Sequence, residues 1–195
     1  MAAELNLEYD HVPYEFNDPK LKQPEYLRLN LAGAIPTIVD GDFSLSESLA
    51  INLYLAKKYG QTGSEALYPD DEESTARAIS WSLFAQGHIE PWVQKDLLLA
   101  DLIKALGSLG DGMINQSLRV LDNALSKSGW LVGEKFTVAD LNVAGVLSPS
   151  RSDALDLSSF GQVKDWLARC YSRPAAVESR NNRIIGVEPK FNEPS

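Results

Sequence analysis

Cysteine is almost missing from this chain: Cys170 is the only one in 195 residues. A single thiol excludes an internal disulfide and leaves too few thiolates for a structural zinc site, and it fits a reducing compartment. Histidine is equally scarce. His11 and His88 lie in no metal-ligand spacing and beside no nucleophile elbow, which sets aside a metal enzyme and a hydrolase. Positive charge is in deficit, with 18 Lys and Arg against 27 Asp and Glu and a net charge of −9. Neutralising phosphates needs clustered Lys and Arg, so neither nucleic acid nor an anionic membrane surface suits it. Long apolar runs are lacking too; Leu97–Ala100 is among the longest, far short of a bilayer span. The first residues carry no basic segment followed by an apolar stretch, so no secretory signal is visible. No repeat of solenoid length occurs. What is present is ordinary, 44% hydrophobic and 23% charged residues, enough for one large domain or two small ones. The expectation is a soluble, acidic, cytoplasmic protein.

Two textures divide the chain. In residues 1–60, Tyr9–Tyr14 has the alternation of a short strand, and Pro24–Leu29 reads as a short helix with proline in its first turn. Thr37–Val39 is β-branched and apolar, Asp40-Gly41-Asp42 supplies a tight turn, and Phe43–Leu45 returns. Ser46–Tyr59 is helical in spacing and Gly60 ends it. Residues 61–71, rich in Gly, Ser, Pro and acid, make a linker. In residues 72–185 nearly everything reads as helix. Ala76–Val93 presents Ile79, Leu83 and Phe84 as a face, with Pro91 bending or ending it. Met113–Leu125 shows Met113, Ile114, Leu118, Leu121 and Leu125 as a face. Val138–Leu147 is so apolar that it should be the buried central helix. Phe160–Tyr171 follows, punctuated by Arg173-Pro174, and residues 186–195 form a loose tail. The predicted architecture is a small α/β domain followed by an all-helical one.

Three patterns carry chemistry. In Gly33-Ala34-Ile35-Pro36-Thr37, proline cannot donate to a ladder and belongs at the start of the strand. An X–Pro bond there is a candidate for the cis isomer, which would turn the Ile35 backbone outward as an edge for a peptide-like ligand. A rigid turn without a ligand accounts for the same residues. In Ser46-Glu47-Ser48, serine caps a helix and Glu favours the positive end of its dipole. A helix N-terminus with a spare hydroxyl also suits a carboxylate, and an adjacent acid suits an ammonium; together they fit an α-amino acid head group. Capping alone explains the residues too. In Phe136–Leu141, Thr137 and Asp140 form a capping-box variant with a Phe136–Leu141 staple, which is structural.

The run Asn30–Asp42 through Glu47–Ile51 resembles the glutathione-binding half of a glutathione transferase. Trp130–Asp140 is similar to that family's helical-domain signature and Arg173-Pro174-Ala175 to its usual ending. The resemblance spans residues 1 to about 180. It implies a thioredoxin-like N-terminal domain followed by an all-α helical bundle, a cis proline at Pro36, and Ile35 pairing with the cysteinyl part of glutathione. It further implies that Glu47 and Ser48 grip the γ-glutamyl head and that Lys22 reaches the glycyl carboxylate. The chain would be a homodimer, with glutathione as cosubstrate, no other cofactor and no metal.

The pattern also departs from the family. Residues 1–9 resemble the last turns of the first helix and the start of the second strand, so the central first strand and the loop with the catalytic Tyr, Ser or Cys have no counterpart here. The catalytic residue is therefore unassigned. Of three accounts (a start upstream of Met1, a rearranged domain, a degraded homologue), the first is favoured. Ala34 replaces a common Gln or Lys, which weakens the grip on the glycine end; Leu31 replaces a common proline. Cys170 reads as a packing residue. Two functions follow from the resemblance. One is conjugation of the glutathione thiol to small hydrophobic electrophiles, bound against Trp81, His88 and Trp92, although such rings also serve as core. The other is a catalytically silent module that binds glutathione or a protein partner.

Overall fold

A computed structural model describes residues 1–61, 65–93, 108–148 and 155–184. The apolar run at 97–100 and the tail from 186 lie outside the described residues, as does part of the expected linker. The chain forms two compact units, one from Met1–Tyr59 with the segment that begins at Pro174, the other from Gly60–Arg173.

In the first unit a single turn at Ala3–Leu5 precedes a 3₁₀ turn, Pro19–Lys22, and helix α1, Pro24–Leu27. Asp18 starts the 3₁₀ turn by accepting from the Lys20 amide at 2.8 Å, the usual role of an N-terminal aspartate. Strands β1 (Thr37–Asp40) and β2 (Phe43–Ser46) pair antiparallel, with Thr37 opposite Ser46 and Asp40 opposite Phe43. Gly41, at φ +63°, supplies the left-handed first position that a two-residue hairpin requires. Helix α2 runs Ser48–Tyr59. It starts two residues later than the spacing predicts because Ser46 is held in the ladder opposite Thr37.

The strand expected at Tyr9–Tyr14 does not form. Among the described residues the sheet has two strands, β1 and β2, and Tyr9 (70% exposed) and Val12 (63%) face solvent. Alternation prepares two faces, but a strand exists only where a neighbour takes up its amides and carbonyls. Pro174, expected as punctuation, instead opens helix α8, Pro174–Ile184, as proline does at a first helical position; α8 packs on the Ala3–Leu5 turn.

The second unit is helical. Helix α3 (Glu72–Phe84) widens into a π turn at Ala85–Ile89 and resumes as α4, Glu90–Val93. Pro91 neither ends nor simply bends this helix. Its ring would strike the carbonyl four residues back and it offers no amide, so the turn before it opens by one residue. Helices α5 (Ser108–Ser128), α6 (Val138–Leu147) and α7 (Gly161–Tyr171) complete the described residues. As its composition predicts, α6 is buried along most of its length and packs against both α3 and α7.

The inner face of α3 is not the expected one. Ile79 (42%) and Leu83 (63%) are exposed, whereas Ala78, Ser82, Ala85 and Ile89 are buried. Small side chains admit close approach of α6, and Asn142 on α6 donates to Ser82 Oγ at 2.8 Å, which donates to the Ala78 carbonyl at 2.8 Å. Along α5, Ile114, Leu118, Leu121 and Leu125 are buried as expected, and Met113 is exposed. Cys170 is buried on α7.

Candidate functional site

The loop before β1 is shaped by one glycine. Gly33 sits at φ +59°, and a Cβ there would lie 2.7 Å from the Leu21 carbonyl oxygen and 2.9 Å from Lys22 Nζ. No side chain fits. Through this close approach the Lys22 ammonium donates to the carbonyls of Ala32 at 3.0 Å and Gly33 at 2.8 Å. Lys22 thus lies along the loop that precedes Ile35, with two of its three N–H groups engaged by backbone.

Next in the chain, the Ala34 carbonyl is held by a ring of side chains. Tyr26 Oη lies 2.8 Å from it, Asn30 Nδ2 2.8 Å and Thr37 Oγ1 3.3 Å. Tyr26 Oη is also 2.9 Å from Thr37 Oγ1, and Asn30 Nδ2 3.2 Å from it, while Asn30 Oδ1 accepts from the Ala32 amide at 3.0 Å. Helix α1 makes this possible: Tyr26 is buried on it, and buried Asn30 follows four residues later, one turn on. Tyr14 packs edge-on against Tyr26, with ring centroids 5.3 Å apart. Ile35–Pro36 follows, and that peptide bond is cis. Pro36 is exposed and Ile35 half-buried.

The hairpin brings this segment to a second one. Thr37 is the first residue of β1 and Ser46 the last of β2, and they face each other. Antiparallel pairing therefore places Ile35-Pro36 and Glu47-Ser48 at the same end of the ladder, one entering it and the other leaving. Glu47 links β2 to α2 at φ +72°, a left-handed conformation that costs a non-glycine residue about 1–2 kcal/mol. Its carbonyl accepts the first helical bond, from the Ile51 amide at 2.9 Å. Both Glu47 and Ser48 are exposed, at the amino end of a helix whose dipole favours an anion. The candidate residues Lys22, Ile35, Pro36, Glu47 and Ser48 all belong to the first unit.

At the opposite end of the hairpin stands a different cluster. Asp40 Oδ2 accepts from Tyr54 Oη at 2.8 Å, Lys58 Nζ at 2.7 Å and Tyr59 Oη at 2.6 Å. The Lys58 hydrogen bond, then those of Tyr59 and Tyr54, hold the Asp40 carboxyl down at about 2. The same bond to Asp40 raises Lys58 above the ordinary lysine range and raises the Tyr59 phenol. Phe43 packs on Tyr54, ring centroids 5.1 Å apart. This cluster ties the hairpin turn to the last turns of α2.

In the second unit Trp81, His88 and Trp92 all fall on the α3–α4 helix. Trp81 Nε1 donates to the Leu131 carbonyl at 3.1 Å, a structural bond. Phe84, which the sequence reading did not place among the acceptor residues, joins Trp81 to His88: it meets Trp81 edge-on at 5.4 Å and stacks on His88 at 5.0 Å. His88 is exposed on the π turn. Trp92 is half-buried on α4.

Known proteins share this organisation. Residues 1–57 match the family model described as "Glutathione S-transferase, N-terminal domain" and residues 110–174 the one described as "Glutathione S-transferase, C-terminal domain". Glutathione S-transferase 3 of Zea mays is 32% identical over 185 residues, covering 88% of this chain and 82% of that protein. This chain belongs to the glutathione S-transferase family. Glutathione S-transferase D7 of Drosophila melanogaster is 33% identical over 171 residues, covering 86% of this chain and 75% of that one. Among solved structures, the glutathione transferase URE2P6 of Phanerochaete chrysosporium, in complex with oxidized glutathione, superimposes with a TM-score of 0.77 at 25% identity, covering 94% of this chain and 88% of that one. The family fold is present as a thioredoxin-like N-terminal domain with a small two-stranded sheet and a helical C-terminal domain. No described helix is long and apolar enough to cross a membrane.

Proposed function

We propose that this glutathione S-transferase family member binds glutathione at the Ile35–Pro36 and Glu47–Ser48 end of the hairpin and conjugates its thiol to small hydrophobic electrophiles. The observation that carries the reading is the register. Pairing Thr37 with Ser46 sets a backbone edge beside an acid and a helix N-terminus, complementary to a tripeptide with a zwitterionic head. Ile35 pairs with the cysteinyl backbone, Ser48 at the positive end of the α2 dipole takes the γ-glutamyl carboxylate, and Glu47 takes its ammonium. Lys22 offers a cation toward the glycyl carboxylate. A carbon–sulfur bond forms as the leaving group departs with its electron pair and the thiol proton passes to solvent. The protein works as a cytoplasmic, detoxifying homodimer, with glutathione as cosubstrate and no separate cofactor.

Conjugation requires thiolate, and a free thiol ionises near pH 8.5, so an active enzyme must hold a donor on the sulfur. One observation favours the second reading, a silent glutathione-binding or protein-interaction module. Three of the first unit's five tyrosines, Tyr26, Tyr54 and Tyr59, have their hydroxyls engaged within it. Two measurements separate the readings: conjugation of glutathione to an aryl halide, and retention on immobilised glutathione. Turnover with retention supports the transferase; retention without turnover supports the silent module. Failure of both sinks the proposed site.

A further inference from the structure

The side chains around the Ala34 carbonyl form a hydrogen-bond ring whose protons can be assigned consistently. Asn30 has two amide protons and can donate both to the Ala34 carbonyl and to Thr37 Oγ1, at 2.8 and 3.2 Å. Tyr26 has one proton, directed to the Ala34 carbonyl at 2.8 Å. Thr37 then donates its own proton to Tyr26 Oη at 2.9 Å. Each donor is used, and the carbonyl receives one bond for each of its two lone pairs. Asn30 Oδ1 is fixed in turn by the Ala32 amide at 3.0 Å, which settles which end of the Asn30 amide faces the ring.

This ring grips an oxygen, but its consequence lies across the peptide plane. The Ala34–Ile35 bond is trans, since the cis bond is Ile35–Pro36. In a planar trans peptide the N–H points opposite to the C=O. Drawing the Ala34 carbonyl toward Tyr26, Asn30 and Thr37 therefore drives the Ile35 N–H away from them. Pro36 has no amide, so the Ile35 N–H is the donor that this stretch can present to a peptide-like ligand.

We infer that Tyr26, Asn30 and Thr37 are positioning residues for ligand binding, which set the direction of the Ile35 amide through the Ala34 carbonyl without touching the ligand. The inference rests on the glutathione reading above. It gives a role to a tyrosine hydroxyl that could otherwise pass for core packing, because a phenylalanine would fill the same space. The affected part of the ligand is its cysteinyl backbone, not its glycyl end.

Calorimetric titration of the full chain with glutathione, and with γ-glutamylcysteine, which lacks the glycyl end, tests this. Tyr26→Phe leaves Thr37 able to turn its proton to the Ala34 carbonyl, so glutathione should bind about three- to tenfold more weakly, the loss of one neutral hydrogen bond. The fold-change should be equal for both ligands. Asn30→Asp keeps the shape but sets carboxylate lone pairs against the carbonyl, and should weaken binding more, by at least about tenfold. Tyr59→Phe, a tyrosine hydroxyl lost at the far end of the hairpin, should leave both affinities unchanged. Circular dichroism melts keep each affinity tied to folded protein; if Asn30→Asp does not fold, Tyr26→Phe decides alone. Unchanged affinity in Tyr26→Phe, or a loss confined to glutathione and absent with γ-glutamylcysteine, would overturn the inference while leaving the glutathione reading intact. No binding by the wild-type chain would end both.

Discussion

Asp40 illustrates how much one carboxylate oxygen can organise: it accepts three hydrogen bonds from two tyrosines and a lysine, all on α2. Its carboxyl is held at about 2, below an ordinary value of 3.8. A depressed carboxyl contributes stability that is present above the unfolded value and is lost as pH falls through the folded one. The wild type should therefore unfold at higher denaturant than Asp40→Asn at neutral pH, and the gap should close between about pH 4 and pH 2. Chemical denaturation across that range measures it; a gap independent of pH would contradict the assignment. Glu47 permits a cleaner separation of stability from binding, because its left-handed backbone favours glycine. In Glu47→Gly relief of the left-handed backbone should limit any fall in thermal midpoint, while glutathione affinity falls about tenfold or more, as expected for a lost charged hydrogen bond. Equal loss of both would make Glu47 structural. Glu47 and Ser48 were legible as an acid and hydroxyl at a helix start. The strained φ was not, because it arises only where a strand that must end at Ser46 meets a helix that must begin at Ser48.

Helix α6 depends on Asp140, whose carboxylate accepts from the amides of Leu131 and Thr137, from Thr137 Oγ1 and from Trp166 Nε1 at 2.9–3.1 Å. Burial pushes its carboxyl up, and these donors oppose the shift. The capping box was readable from Thr137 and Asp140 three residues apart. The bonds to Leu131 and Trp166 were not, since no local spacing relates a first-turn carboxylate to an indole 26 residues on. Asp140→Asn sets an NH₂ group against N–H donors and should cost about 2–4 kcal/mol of stability, read as a lower urea midpoint with an unchanged slope. A second cap crosses between helices: Asp122 on α5 accepts from the Gln162 and Val163 amides that open α7, at 2.9 and 3.1 Å. Asp122→Ala should cost about 1 kcal/mol by the same measurement, and no change would mean that solvent replaces it. The misjudged face of α3 belongs to this scale as well. Periodicity marks where large apolar residues recur, yet the interior selected Ala78, Ser82 and Ala85 because α6 approaches closely.

For the whole molecule, glutathione binding should be confined to one end of one unit. Glutathione stabilises the state that binds it, by about 2.7 kcal/mol at one hundred times its dissociation constant. Hydrogen exchange with and without glutathione should show added protection at residues 33–37 and 46–51. Protection that appeared only in the helical unit would remove the site from the hairpin. From the sequence alone came the two-part organisation, the hairpin turn at Gly41, the buried character of Val138–Leu147 and the family, because each is written in local spacing or composition. Tertiary structure alone decided that Tyr9–Tyr14 is no strand, that Pro174 begins a helix, and that Tyr26, Asn30 and Thr37 converge on one carbonyl. The reason is the same in each case. Periodicity specifies which faces a segment could bury and where its turns fall, whereas hydrogen-bond partners distant along the chain are chosen only once the backbone has folded back on itself.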